Sequence, residues 1–224
     1  MTGWGEYGAA WALFIVTHAV PVRPPVKPWL VQRLGRGGFG LAYSALSLGV
    51  LAWLFLAAGR APHVALWPMP AGAHWIVLAG MIPACALLAL SLGRPNPFSF
   101  GGAANHNFNP DRPEIIGLIR HPVLMALGLW AGAHLAVNGD LAHALMFGGF
   151  GVFAALGMAL IDRRKQRQIG RAPWQALRSA SRTAAPGLPP RAGLRLWAGC
   201  AGVAVLVGGH HILAGVTIWP RFLP

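Results

Sequence analysis

"LIRHPVLMALGLWAGAHLAVNGD", residues 118–140, decides how the chain is built. It opens on Arg120 and His121, and Pro122 suits the first turn of a helix. An apolar stretch follows, with His134 near its far end, and the segment closes on Asn138-Gly139-Asp140. Gly139 can take a positive φ beyond a helix end, and Asp140 can cap the next helix. So short a link makes the apolar segments on either side antiparallel neighbours. With the residues before it, the stretch Ile115–Val137 has the ~20 residues that cross ~30 Å of hydrocarbon as a helix.

Five more runs of this kind surround it: Trp4–Val20, Phe39–Ala58, His74–Leu92, Leu141–Ile161 and Leu194–Val216. The chain is 55% hydrophobic and only 10% charged, so it cannot clothe itself for water. The reading is all-α: a polytopic integral membrane bundle of about six transmembrane helices, forming a single domain over residues 1–224. The net charge of +13 does not imply nucleic acid, because the cations are confined to alternate loops. Arg23, Lys27, Arg33 and Arg36 follow the first span; Arg94, Arg112 and Arg120 follow the third; Arg163 to Arg195 follow the fifth. Only Arg60 and Arg221 fall on the other side. The positive-inside rule then sets these loops in the cytoplasm, facing anionic lipid, with both termini outside.

Met1–Tyr7 has no Lys or Arg, so no cleaved signal peptide is expected. Cys85 and Cys200 have no paired spacing and read as small packing residues. Prolines 21, 24, 25 and 28 predict a stiff, extended first basic loop. "RPNPFSFGGAANHNFNPDRP" (94–113) is a polar loop long enough to suggest a role of its own. "APWQALRSASRT" (172–183) reads as a short helix on the cytoplasmic interface, with Trp174 and Leu177 on one side and Arg178 and Arg182 on another. Gly128 and Gly132, with Gly148, Gly149, Gly151, Gly199 and Gly202, predict close helix packing or a flat slot for a planar ligand.

Ionisable groups inside spans are tolerated only with partners and point to function. His63, His74 and His143 fall at span edges, and His106 lies in the long loop; His18, His121, His134 and the pair His210-His211 remain. His121 and His134 are separated by about 20 Å of helix rise and about 140° of rotation, so they cannot share a metal. His121 can anchor the helix start. His134 lies deeper, and Asn138, one turn on, is placed to orient it. No Ser-His-Asp or Cys-His arrangement, carboxylate pair or phosphate-binding glycine loop is legible, so any chemistry is expected from a cofactor. A neutral imidazole in a dry site is a good haem ligand, and without Cys-x-x-Cys-His the haem would be bound non-covalently.

"RPNPFSF", "IIGLIRHPVLMALGLWAGAHLAVNGDLAHALMFGGFGVFAALG" and "DRRKQR" resemble the NnrU family of bacterial membrane proteins, and the likeness runs from "THAVPVRP" to "HHILAGV". The family includes plant and cyanobacterial 15-cis-zeta-carotene isomerase. The resemblance implies an inner-membrane protein binding haem b, linked to nitric oxide and denitrification, with lipid, haem and a hydrophobic small molecule or membrane protein as partners. By motif, the axial histidines fall on His18 and His134, while His121 and His211 match other family histidines. Depth along the spans gives another pairing: His134 with His210 or His211, and His18 with His121. Two alternatives stand beside the haem protein. One is a haem-dependent cis-trans isomerase of a carotenoid-like polyene. The other is an S-adenosylmethionine-dependent methyltransferase, because Arg120-His121-Pro122 before a basic tail resembles isoprenylcysteine methyltransferases, although Asp162 stands where those enzymes carry paired glutamates.

Overall fold

The computed structural model describes residues 3–214. The expected end of the last span at Val216, and Arg221, lie outside them. The described residues form seven α-helices: α1 (Gly3–Ala19), α2 (Val26–Arg60), α3 (Ala73–Ser91), α4 (Pro122–Val137), α5 (Leu141–Ile169), α6 (Arg171–Thr183) and α7 (Ala192–Ala214). Two short 3-10 turns, 105–107 and 114–117, interrupt the long loop. Among the described residues there is no β-strand, so the all-α reading is borne out. Four helices, α2, α3, α5 and α7, are long and apolar enough to cross a membrane. α1, with 17 residues, and α4, with 16, are shorter. Large apolar side chains face outward along the longer helices, Leu41 of α2 at 76% exposure and Ile212 of α7 at 78%, as lipid-facing helices require.

Two compact units divide the chain. The first comprises residues 1–67 and 139–146. In it α1 packs along α2. Glu6 accepts from Trp53 Nε1 at 3.1 Å and pairs with Arg60 at 3.0 Å, and the Tyr7 hydroxyl donates to the Ala142 carbonyl at 2.8 Å. Residues 64–67 run beside 139–141, with Leu141 N donating to Val64 O at 2.9 Å and Leu66 N to Gly139 O at 2.7 Å. Gly139 does not take the positive φ expected of it. Its missing side chain matters instead, since a Cβ there would collide with the Trp67 carbonyl. Asp140 caps α5 as expected, through His143 N at 3.3 Å.

The second unit comprises residues 68–138 and 147–224, and in it α3 packs against both α4 and α7. α4 and α5 are antiparallel, as the short link requires. Arg120 meets Asp162, Leu124 the Gly157 backbone, Gly128 Ala154, Trp130 Phe150, and His134 Phe147.

Three helix limits differ from the sequence reading. α2 begins at Val26, inside the stretch expected to be extended. The prolines cluster at its start, where missing N–H groups cost nothing, and Gly35, at φ 71° and ψ 168°, breaks the helix before it resumes. α4 starts seven residues later than the apolar run, because Pro122 opens it after a 3-10 turn. α5 continues past Ile161 to Ile169, since Asp162–Gln168 contains nothing that breaks a helix, and Gly170, at φ 89°, ends it.

Of the glycines read as packing points, Gly199 lies against Ala89 and Cys85 of α3, whereas Gly132, Gly148, Gly151 and Gly202 have open space where a Cβ would stand. The tightest crossing is at Gly80, where a Cβ would come to 2.5 Å from the Ala133 Cβ and 3.0 Å from the Leu129 carbonyl oxygen. Gly80→Ala should therefore force α3 and α4 apart and cost about 1–3 kcal/mol, while Gly132→Ala should change stability by less than about 0.5 kcal/mol. Thermal unfolding of the two variants in detergent measures the contrast.

Candidate functional site

The second unit ties one end of α4 to α5 through a carboxylate. Asp162 accepts a fork from Arg120, with Nη2 at 2.7 Å and Nε at 3.0 Å from Oδ2, and its Oδ1 lies 2.9 Å from His121 Nε2. The other imidazole nitrogen, Nδ1, lies 3.0 Å from the Ser99 hydroxyl. A carboxylate can only accept, so Nε2 carries a proton, and in the neutral ring Nδ1 accepts from Ser99. Burial pushes the His121 pKa below its ordinary value; Asp162 opposes this, and Arg120 and Arg178 reinforce it.

The long loop closes over this cluster. Asn96 donates to the Arg120 carbonyl at 3.0 Å and accepts from Phe98 N at 3.0 Å, while Asn105 Oδ1 accepts from Asn96 N at 2.8 Å. Asn96, Phe98 and Ser99 are buried. Arg94 forks onto Glu114, which raises the Arg94 pKa. α6 packs on the outside of the loop. Trp174 meets Phe98 edge-on, and buried Ser181 lies against Gly117. Arg178, expected on another side from Trp174 and Leu177, shares the inward side with Trp174. It donates to the Gly117 carbonyl at 3.2 Å and lies over the Phe98 ring.

Ser99, His121 and Asp162 thus form a connected series that sequence reading did not find, because the hydroxyl lies on a loop remote in sequence from both partners. Ser99 and His121 are each 3% exposed, so the hydroxyl is not presented to a substrate. Beside them a cleft of about 110 Å³ is lined by Leu118, Ile119, Arg120, His121, Met125 and Met158.

His134 is held differently. Its Nδ1 lies 2.8 Å from the Trp130 carbonyl oxygen, one turn earlier. The carbonyl only accepts, so Nδ1 bears the proton and Nε2 is the nitrogen with the lone pair. The rings of Trp130 and Phe147 lie 5.3 and 5.1 Å away. Asn138 was expected to orient this ring; it reaches the His134 carbonyl instead, through Nδ2 at 2.7 Å and its backbone N at 3.0 Å. In the first unit His18 repeats the arrangement. Its Nδ1 is 2.8 Å from the Phe14 carbonyl oxygen, and the ring stacks on Phe14 at 4.1 Å with Tyr43 edge-on at 6.2 Å. His210 is half-buried and His211 exposed.

The chain matches the NnrU protein family over residues 8–218. It belongs to that family. Among curated proteins and solved structures nothing matches. In this NnrU protein no group of three or more His, Cys, Asp or Glu side chains is placed to hold a metal ion among the described residues. Axial ligation of a haem needs no such group, since the porphyrin supplies four donors and the protein one or two. An imidazole whose proton is committed to a backbone carbonyl keeps a basic nitrogen at the tip of the ring, a donor chemistry compatible with haem iron at His134 and, in the first unit, at His18.

Asp162→Asn should cost this NnrU protein about 2 kcal/mol, because Arg120 and His121 lose their shared acceptor. A depressed His121 pKa means that the unfolded chain takes up a proton first as pH falls, so the stability this ring contributes is present above about pH 6.5 and declines below it. Thermal unfolding from about pH 7.5 to about pH 5 should show a smaller loss of Tm in His121→Gln than in the parent.

Proposed function

We propose that this NnrU protein is a multi-pass protein of the bacterial inner membrane that holds haem b without a covalent link and serves nitric oxide or denitrification metabolism. The observation that supports this best is the His134 ring. It is fixed through Nδ1 to the Trp130 carbonyl and walled by Trp130 and Phe147, with Nε2 left as the basic nitrogen. His134 is the ligand on which the reading stands. His18, which the family pattern pairs with it, is prepared in the same way by the Phe14 carbonyl.

In this reading α1 and α4 cross the membrane together with the four longer helices, which gives six spans with both termini outside and the basic segments in the cytoplasm. α4 reaches about 24 Å as a helix, starting just after its charged end at Arg120 and His121. A bound haem supplies an iron that takes a diatomic gas or carries one electron. The protein's own contribution is to orient the imidazole, keep water from it with aromatic side chains, and hold α4 in place at its charged end through Asp162.

Haem-supplemented protein purified in detergent should show a Soret band, and His134→Ala should lose or shift it. A chain without a Soret band, or a His134→Ala variant with the parent's spectrum, defeats the proposal.

A further inference from the structure

We propose that the cleft at the charged end of α4 binds one anionic phospholipid, with the headgroup phosphate on Arg120 and the first methylenes of an acyl chain along Met125 and Met158. This does not depend on haem. It concerns one built site, not the general attraction of basic segments to a lipid surface.

The donor comes first. Of the residues that line the cleft, Leu118, Ile119, Met125 and Met158 are apolar, and only Arg120 and His121 are not. Both His121 nitrogens are engaged, by Ser99 and Asp162, so its ring gives the cleft a wall and no donor. The Arg120 fork onto Asp162 uses Nε and Nη2, and it leaves Nη1 without an acceptor among the described residues. Arg120 thus brings an open cationic donor to an otherwise apolar cleft, and a planar guanidinium suits phosphate oxygens.

The charge around it selects the headgroup. Asp162 is already taken by the Arg120 fork and the His121 N–H. Arg178 holds the Ile116 and Gly117 carbonyls directly before Leu118, and the exposed Arg163 and Arg164 directly follow Asp162. The surroundings are therefore positive. A zwitterionic headgroup would bring an ammonium for which the cleft lining has no carboxylate, whereas an anionic one meets complementary charge.

Depth agrees with this. Met125 lies one turn beyond His121 on α4, and Met158 one turn before Asp162 on the antiparallel α5. Both methionines are therefore about 6 Å further along the bundle than the charged cluster. The headgroup region of a bilayer is about 5–7 Å thick on each face, so a phosphate at Arg120 sets the first methylenes of its chain at the two methionines. Leu118 and Met125 are exposed, and a thioether adapts to a flexible chain.

Native mass spectrometry of the full chain in detergent, with phosphatidylglycerol or phosphatidylcholine added, tests the proposal. The parent should retain one phosphatidylglycerol, about tenfold or more in preference to phosphatidylcholine, as a charge-assisted hydrogen bond allows. Leu118→Glu sets a carboxylate beside Arg120 and should weaken that retention by about tenfold or more. Met158→Trp should fill the cleft and abolish it. The double variant Arg163→Gln/Arg164→Gln, outside the cleft, should keep it. Should Met158→Trp not fold, Leu118→Glu, at an exposed position, decides by itself. Equal retention of phosphatidylcholine, a Leu118→Glu variant that binds like the parent, or a double variant that loses as much as Leu118→Glu overturns the assignment. So does inorganic phosphate raising the Tm of the parent as much as phosphatidylglycerol does, since the site would then take a free anion.

Discussion

One carboxylate organises the second unit. Asp162 takes the Arg120 fork and the His121 N–H at once, and so fixes where α4 starts relative to α5. Arg120 is 37% exposed at its side chain while His121 is 3%, so the pair spans the edge between water and protein. Removing one member of such a cluster leaves the others without partners where solvent cannot replace them. From this anchor the antiparallel register runs along both helices, through Leu124 on Gly157 and Gly128 on Ala154, to His134 on Phe147. The position of the deep imidazole is thus set from the charged end of the helix.

The same device appears twice in the chain. At His18 and at His134 the imidazole returns its Nδ1 proton to the carbonyl one turn earlier on its own helix, and aromatic rings flank it. In hydrocarbon a histidine needs a partner for its N–H, and the helix backbone supplies one without help from another element. The cost of burying the ring is thereby reduced, and its orientation becomes a property of the local helix. His121 follows another logic: both of its nitrogens are engaged across sequence-distant elements. One kind of residue is thus tied across the fold in one place and to its own helix in another.

The loop 94–113 and α6 show how much a polar segment can be ordered by its own side chains. Asn96 and Asn105 replace missing backbone partners, Phe98 fills the interior, and Arg178 satisfies two carbonyls while covering Phe98. The amphipathic pattern of α6 was legible, but it mislocated Arg178. A guanidinium on the inward side looks out of place until carbonyls left open by a 3-10 turn are found opposite it.

Residue order by itself determined the class of the protein. Apolar runs of membrane length, cations on alternate loops and the Asn138-Gly139-Asp140 link fix a helical membrane chain in which α4 and α5 are antiparallel, because backbone groups in lipid must bond within their own helix. Family motifs picked out His18, His121 and His134. Only the tertiary structure decided how those residues are held. It brought Ser99 and Asp162 to His121 from 22 and 41 positions away, turned Asn138 from the His134 ring to its carbonyl, and set Gly80 and Gly199 as the contacts that give α4 and α7 their relative depth. A sequence records each helix face, but the sliding of one helix along another is settled by side-chain volume and shared hydrogen bonds at a few crossings, and these exist only once the helices have met.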